Sequence, residues 1–131
     1  MSARARRILC VDDHADTCLM LQTLFGRAGR EVASAAGVAE ATRLAEGRSF
    51  DLFILDMRFP DGSGVELCRR LRGLQPHAPV VFYTGRAYET DRAAALAACA
   101  AAFVAKPSID QLIREVERLL GEARGRMSAK T

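Results

Sequence analysis

The chain has 131 residues, of which 50% are hydrophobic and 27% are charged, which is typical of one globular domain with a single core. Its formal net charge is +3, and much of the excess lies near the two ends, which favours solvated termini over a nucleic-acid-binding patch. No stretch is apolar for long enough to span a bilayer, and the basic start does not lead into a signal peptide. We therefore expect a cytoplasmic protein that binds neither membranes nor nucleic acid directly.

Five short strands are predicted to alternate with five helices. The predicted strands cover residues 7–11, 31–35, 51–55, 80–83 and 102–105, and all but the second are continuous apolar runs. The predicted helices cover about residues 15–28, 38–46 and 89–98, with one that begins after Ser63 and one that begins near Ile109. This alternation predicts an α/β fold with a parallel sheet that is covered by helices on both faces.

The order of the strands follows from their apolar character. The second strand is the least apolar, so we place it at an edge of the sheet. Because crossovers between parallel strands are right-handed, few topologies remain. The doubly wound, flavodoxin-like order 2-1-3-4-5 is the expected one, and it places the first and third strands side by side.

The extent of the domain is read from where the apolar periodicity ends. Ser63 and Glu66 fit a capping box at the start of the third helix, after a predicted turn that contains Pro60 and Gly62. Periodicity is lost from Gly121 onward. We therefore predict a single domain over residues 1–121 and a frayed tail over residues 122–131.

The four cysteines do not form a recognisable metal or redox motif. They are Cys10, Cys18, Cys68 and Cys99. None belongs to a C-x-x-C pair, and no histidine lies at a spacing that suggests zinc. Three of them fall in an apolar strand or on apolar helix faces, so we expect buried, reduced thiols.

Polar side chains follow four of the predicted strands. Asp12 and Asp13 come directly after the first strand, Asp56 after the third, Thr84 after the fourth and Lys106 after the fifth. In open parallel sheets the ligand site lies just beyond the carboxyl ends of the strands. The sequence thus predicts three carboxylates, one hydroxyl and one ammonium group at a single edge of the sheet.

This set of groups suits a divalent cation and a phosphoryl group. Clustered carboxylates repel one another unless a cation is present, and oxygen ligands without His or Cys favour Mg²⁺. Thr84 and Lys106 can bind phosphoryl oxygens, which suits in-line phosphoryl transfer to a carboxylate. Taken singly, the acid pair could simply begin a polar loop, Thr84 could use its hydroxyl to hydrogen-bond to backbone groups at a strand end, and Lys106 could be a solvated surface charge. Their joint placement at four strand ends favours the site.

With these residues in place, the chain resembles a response-regulator receiver domain of two-component signalling over about residues 6–121. The motifs that carry the resemblance are Leu9-Cys10-Val11-Asp12-Asp13, Phe50-Asp51-Leu52-Phe53-Ile54-Leu55-Asp56, Phe59-Pro60-Asp61-Gly62-Ser63-Gly64, Thr84-Gly85 and Lys106-Pro107. The resemblance implies a phosphorylation-dependent signalling switch. Such a protein catalyses its own phosphoryl transfer and dephosphorylation but acts as a signalling protein rather than an enzyme.

The resemblance also implies the partners and the metal site. Asp56 would be the phosphoacceptor, which attacks a phosphohistidine on a histidine kinase or a histidine phosphotransfer protein. Mg²⁺ would be bound directly by Asp13 and Asp56, by Asp12 through water and by the backbone carbonyl of Arg58. Lys106 would bind a phosphoryl oxygen.

A switch and an output surface are implied in the same way. Thr84 would bind a phosphoryl oxygen, and Phe103 would turn inward as Thr84 moves toward the phosphoryl group. The Lys106-Pro107 peptide would be cis. The expected output surface consists of the fourth helix, the fifth strand and the fifth helix, where an unknown target protein or a second copy of the chain could bind.

Several residues depart from the family pattern. Phe103 has no hydroxyl at a position that more often holds Tyr or His. Arg58 and Arg86 place bulky cations beside the site and are expected to alter the access of attacking water. Cys99 replaces a usual glycine, so either a left-handed backbone costs about 1 kcal/mol there or the fourth helix is longer or shifted. His14 is expected to be a loop residue at the rim, with a metal neighbour as the alternative.

Other functions were weighed against the switch. The runner-up is a constitutive interaction module that is not phosphorylated, and the intact acidic cluster argues against it. A flavodoxin-like cofactor binder is disfavoured because the acidic loop 12–16 would repel a phosphate group. An aspartyl-phosphate hydrolase is disfavoured because Asp56-Met57-Arg58 lacks the second acid. The kinase, the target, and whether the chain acts alone or within a longer regulator remain open.

Overall fold

In the computed structural model, residues 5–129 are described, with side chains described as far as residue 121. The main sheet consists of β1 (Arg7–Val11), β2 (Glu31–Ala35), β3 (Leu52–Leu55), β4 (Val80–Thr84) and β5 (Ala102–Ala105). The helices are α1 (Ala15–Arg27), α2 (Val38–Gly47), α3 (Gly64–Leu74), α4 (Glu89–Ala98) and α5 (Ile109–Ala129). All strand pairs of this sheet are parallel, and their order, β2-β1-β3-β4-β5, confirms the predicted α/β topology.

Both faces of the sheet are buried under helices. Leu9 and Val11 of β1 belong to one apolar cluster, together with residues of α2, α3 and α4. Ile8 and Cys10 belong to a second cluster, with residues of α1 and α5. Because successive side chains of a strand point to opposite faces, this double burial explains why the central strands are continuous apolar runs.

The register of the strands brings their carboxyl ends to one edge. Val11 of β1 is paired with Leu55 of β3, so Asp12 and Asp56 follow at the same level. Thr84 of β4 is paired with Ala105 of β5, so Lys106 follows directly beside Thr84. The backbone N–H of Lys106 donates to the carbonyl of Thr84 at 2.8 Å, which extends the pairing to the edge of the site.

The α4 helix is the least firmly packed. Of its ten residues, all within the described range, Ala95 is the one that is buried. Its alanines give it high helix propensity but little apolar area to bury, so packing stabilises α4 less than it stabilises the other helices.

The segment between β3 and α3 has more structure than the loop that the sequence predicts. Two short strands, Arg58–Phe59 and Gly62–Ser63, pair antiparallel and form a hairpin outside the main sheet. The hydroxyl of Ser63 accepts a hydrogen bond from the backbone N–H of Glu66 at 3.2 Å, as the capping motif predicts.

The last helix is longer than the periodicity indicates. α5 continues to Ala129, so the segment that we expected to fray is helical up to that residue. Loss of apolar periodicity removes packing but not helix propensity, and residues 122–129 contain no proline and several strong helix formers. Residues 130 and 131 of the expected tail lie outside the described part of the chain. Within residues 5–129, no helix has both the length and the apolar character needed to cross a membrane.

The expectation of four reduced thiols is corrected for one pair. Cys68 of α3 and Cys99, at the end of α4, are joined in a disulfide. Cys10 and Cys18 are free and buried, with their Sγ atoms 3.5 Å apart. The sequence does not reveal the pair because its members are 31 residues apart and meet only through the packing of two helices.

Candidate functional site

Three aspartates meet at the carboxyl edge of the sheet. Asp12 is 4% exposed and Asp56 is 9% exposed, whereas Asp13 lies at the surface. One ligand atom from each of these residues and one from His14 all lie within 4.8 Å of one another. A cluster of hard oxygen donors this close fits a divalent cation such as Mg²⁺, which would offset the mutual repulsion of the carboxylates.

Lys106 neutralises part of this acidic charge. Its Nζ atom donates to Oδ2 of Asp12 at 2.8 Å and to Oδ2 of Asp56 at 3.3 Å. Burial alone would lower the pKa of Lys106, but the hydrogen bond to Asp12 and the charge of Asp56 outweigh it and raise that pKa above its usual value. Lys106 is therefore charged at neutral pH and lies between two carboxylates. Its peptide bond to Pro107 is cis.

The second oxygen of Asp56 is occupied by two donors. The hydroxyl of Thr84 donates to Oδ1 at 2.6 Å, and the backbone N–H of Met57 donates to the same atom at 2.7 Å. The Thr84 hydroxyl accepts in turn from the backbone N–H of Arg86 at 3.1 Å. Thr84 is fully buried, so its orientation is fixed toward Asp56 rather than toward solvent.

An open cavity of about 810 Å³ lies over these groups. Its floor carries Asp56, Thr84 and Lys106, and its rim includes Arg58 and Arg86. Both arginines are exposed. The cavity is thus large enough to admit a phosphoryl group.

His14 is closer to the acids than a plain rim residue. Its Nδ1 atom lies 3.0 Å from Oδ1 of Asp12 and 3.3 Å from Oδ1 of Asp13. The hydrogen bond to Asp12 is the main cause of a raised pKa for His14. The imidazole nevertheless remains 68% exposed, which is consistent with the rim position.

Phe103 is buried beneath the site. It is 7% exposed, and its ring stacks on Phe82 with a centroid separation of 6.2 Å and an interplanar angle of 30°. Phe103 lies on β5 and Thr84 at the end of the adjacent β4. The structure therefore combines an inward Phe103 with a Thr84 hydroxyl that contacts Asp56.

The sequence does not predict the structural roles of two residues near the site, Gly64 and Asp61. A Cβ atom on Gly64 would lie 2.1 Å from the backbone oxygen of Asp56, so only glycine fits here without displacement of the backbone. Asp61 accepts from the backbone N–H groups of Val38 and Ala39 at 2.8 and 3.0 Å, and these bonds lower its pKa and cap α2. The signal for Gly64 was its place in the Asp61-Gly62-Ser63-Gly64 motif, whereas nothing local links Asp61 to α2.

The family model of the response regulator receiver domain matches residues 8–117 of the chain. The chain belongs to the response regulator receiver domain family. It is therefore a signalling domain of two-component systems rather than a conventional enzyme.

Curated relatives of this receiver domain are longer than the chain. It is 35% identical over 126 residues to the transcriptional regulatory protein GltR of Pseudomonas aeruginosa, a match that covers 94% of this chain and 52% of GltR. It is 36% identical over 102 residues to the response regulator protein PilR of the same organism, a match that covers 78% of this chain and 23% of PilR. The receiver domain thus spans about half or less of these relatives.

Solved structures agree with the fold. A CheY-like response regulator receiver domain protein from Methanospirillum hungatei is 28% identical, with a TM-score of 0.89, and the match covers 94% of this chain and 99% of that one. The response regulator protein TrrA from Thermotoga maritima, solved in complex with Mg²⁺ and BeF, is 29% identical with a TM-score of 0.77. That match covers 87% of this chain and 98% of TrrA.

Proposed function

We propose that this receiver domain is a switch that accepts a phosphoryl group on Asp56 from a phosphohistidine of a histidine kinase or a histidine phosphotransfer protein. The observation that carries the proposal is the arrangement around Asp56. Its carboxylate faces an open cavity. It accepts hydrogen bonds from the buried hydroxyl of Thr84 and from the partly buried ammonium group of Lys106.

The transfer step uses the carboxylate as a nucleophile. An oxygen of Asp56 attacks phosphorus, the phosphorus–nitrogen bond to the donor imidazole breaks, and the imidazole nitrogen keeps the electron pair and takes up a proton. Asp13 and Asp56, the backbone carbonyl of Arg58, and Asp12 through water would hold Mg²⁺. The cation would supply neutralisation of the charge that builds up on the phosphoryl oxygens.

Thr84 and Lys106 are proposed to bind the phosphoryl oxygens after transfer. Lys106 already lies between Asp12 and Asp56, so it can move to a phosphoryl oxygen with little change in position. The hydroxyl of Thr84 can donate to a phosphoryl oxygen instead of to Asp56, which holds Thr84 inward and leaves room for the inward Phe103. Hydrolysis by water later restores Asp56. Arg58 and Arg86, at the rim of the cavity, would control the access of that water to the phosphoryl group.

The surface formed by α4, β5 and α5 is proposed to bind the downstream partner. Phe103 belongs to β5, and its burial changes the shape that this surface presents to a target protein or to a second copy of the chain. We propose residues 1–121 as the receiver unit and the cytoplasm as its location. This domain is proposed to act through protein contacts, without binding nucleic acid or a membrane itself.

The test is intact-mass analysis after incubation with Mg²⁺ and acetyl phosphate. One phosphoryl adduct is expected in the wild type, none in Asp56→Asn, and none after chelation of Mg²⁺. Asp110→Asn, which changes an exposed acid at the start of α5, is the matched control and should be phosphorylated normally. A wild type that gains no adduct from acetyl phosphate or from a kinase, and does not bind beryllofluoride, would instead support the constitutive interaction module.

A further inference from the structure

We propose that Cys68 and Cys99 form a reversible redox site whose oxidation ties α4 to α3 and favours the arrangement with Thr84 against Asp56 and Phe103 buried. This inference rests on the proposed function, since the effect of oxidation is measured as a change in the affinity of Asp56 for a phosphoryl mimic. The ligand class is an oxidant of thiols, with hydrogen peroxide as the simplest member.

The position of the pair suits a reversible bond. The Cα atoms of Cys68 and Cys99 are 6.8 Å apart, within the range of about 4.4–6.8 Å over which disulfides form. The backbone of this structure therefore accommodates the bond at the upper end of that range. In a reducing compartment the dithiol form prevails until an oxidant is present.

The two cysteines differ in access, which sets the order of the chemistry. Cys68 is fully buried on α3, whereas Cys99 is half-buried at the end of α4. The thiolate of Cys99 attacks one oxygen of hydrogen peroxide, the O–O bond breaks, and hydroxide leaves and is protonated to water. The thiolate of Cys68 then attacks Sγ of the resulting sulfenic acid and expels a second hydroxide. Two thiols are oxidised to one disulfide, and the peroxide is reduced to two waters.

The bond anchors a helix that has few other anchors. Ala95 is the buried residue of α4 within its fully described length, and Leu96 next to it is 42% exposed. A covalent bond at the end of α4 therefore adds a restraint that apolar packing does not supply. Cys10 and Cys18 lie on the other face of the sheet, where they do not contact α4.

The restraint acts where the switch residues lie. Cys68, Ala95 and Phe103 belong to one apolar cluster, and Cys99 packs against it. With the disulfide formed, Phe103 is buried and Thr84 donates to Asp56, so the cross-link and this arrangement coexist in one conformation. A helix that is already restrained loses less conformational entropy when a ligand at Asp56 fixes the same arrangement. Oxidation should thus strengthen binding at Asp56.

The experiment compares the wild type after treatment with hydrogen peroxide and after treatment with dithiothreitol. Alkylation in denaturant should trap two thiols in the oxidised protein and four in the reduced protein. Amide hydrogen exchange over residues 89–98 should be several-fold slower after oxidation. Titration with beryllofluoride and Mg²⁺ should give several-fold tighter binding to the oxidised protein. Cys99→Ala should abolish all three differences between the treatments, and Cys18→Ala should preserve them.

Each readout can overturn the proposal. Four trapped thiols after peroxide would show that the pair does not oxidise. A disulfide with unchanged exchange in α4, or with unchanged beryllofluoride affinity, would show that the bond does not act on the switch. Absence of beryllofluoride binding in both forms would contradict the proposed function instead, because the thiol count and the exchange of α4 report on the pair independently of Asp56.

Discussion

The hydroxyl of Thr84 lies 2.6 Å from Oδ1 of Asp56 and is fully buried, so the end of β4 is bonded to the carboxylate at the end of β3. Replacement by valine keeps the shape of the side chain but removes the donor. A hydrogen bond to a charged group contributes about 1.5–3 kcal/mol, so Thr84→Val should weaken beryllofluoride binding by about tenfold or more. Isothermal titration in Mg²⁺ measures this, with Thr84→Ser as the control that keeps the hydroxyl. Equal affinity of Thr84→Val and wild type would contradict a role for this donor.

Lys106 should make the stability of the protein depend on alkaline pH. The pKa of Lys106 is lowered by burial but raised more by Asp12 and Asp56, so its folded value exceeds the value of about 10.4 for an unfolded lysine. The stabilisation from the charged form is complete below the unfolded pKa and is lost as pH rises through the folded pKa. The free energy of unfolding should therefore differ between wild type and Lys106→Met by a constant amount near neutral pH and by less above the unfolded pKa.

Urea denaturation at a series of pH values, with divalent cations chelated, checks this dependence. Groups distant from Lys106 are common to both proteins and cancel in the difference, whereas Tyr83, Cys10 and Cys18, on whose pKa values the charge of Lys106 has a lowering effect, contribute to it. Lys130→Met changes the other lysine of the chain and should show no such dependence. A difference between wild type and Lys106→Met that does not shrink at high pH would count against the raised pKa.

Gly64 should tolerate no side chain. A Cβ atom there would lie 2.1 Å from the backbone oxygen of Asp56 and 2.7 Å from Cε1 of Phe82, so Gly64→Ala should lower the free energy of unfolding by about 2 kcal/mol or more. Gly73 lies in the same helix with no atom near its would-be Cβ, so Gly73→Ala should raise stability by about 0.5–1 kcal/mol. Urea denaturation of both variants provides the comparison. Similar effects of the two substitutions would be inconsistent with the close packing at Gly64.

Arg58 should slow the loss of the phosphoryl group from Asp56. Its exposed side chain lines the cavity through which water reaches the carboxylate, so Arg58→Ala should dephosphorylate several-fold faster than wild type. The decay of the phosphorylated species by intact mass measures the rate. Arg69→Ala removes an exposed arginine of α3 that does not line this cavity and should leave the rate unchanged. Equal rates for Arg58→Ala and wild type would exclude a shielding role.

Cys99 occupies a backbone conformation that suits glycine. Its φ angle is 142°, in the region that side chains with a Cβ atom disfavour, which decides between the two alternatives that the sequence left open. Under reducing conditions, Cys99→Gly should be about 1 kcal/mol more stable than Cys99→Ala, because both lack the thiol and only alanine retains the strain. Urea denaturation with dithiothreitol checks this order. A more stable alanine variant would contradict the strain.

The topology and the meeting of the acids could be predicted because both depend on short-range signals. Continuous apolar runs mark the buried strands, and in a parallel sheet their carboxyl ends necessarily share an edge, which is why Asp12, Asp56, Thr84 and Lys106 were found together. The same reasoning placed β2 at the edge from its weaker apolar character.

Contacts that depend on tertiary packing could not be predicted. The capping of α2 by Asp61 joins residues 22 and 23 positions apart, and the Cys68–Cys99 bond joins two helices that meet only in the folded chain. The approach of Gly64 to Asp56 depends on the path of the hairpin, which apolar periodicity does not encode. The extension of α5 beyond residue 121 was not predicted because the end of the helix was read from the loss of an apolar face, whereas helix propensity continues past it.

The sparse packing of α4 bears on how much free energy is needed to displace this helix. Displacing a helix in which Ala95 is the buried residue exposes little apolar area, so the displacement of α4 that the proposed switch requires should cost little free energy. Each 1.4 kcal/mol by which a ligand favours the displaced position of α4 over the undisplaced one changes the ratio of the two populations about tenfold. In the proposed switch, an alanine-rich α4 would therefore respond to weak inputs.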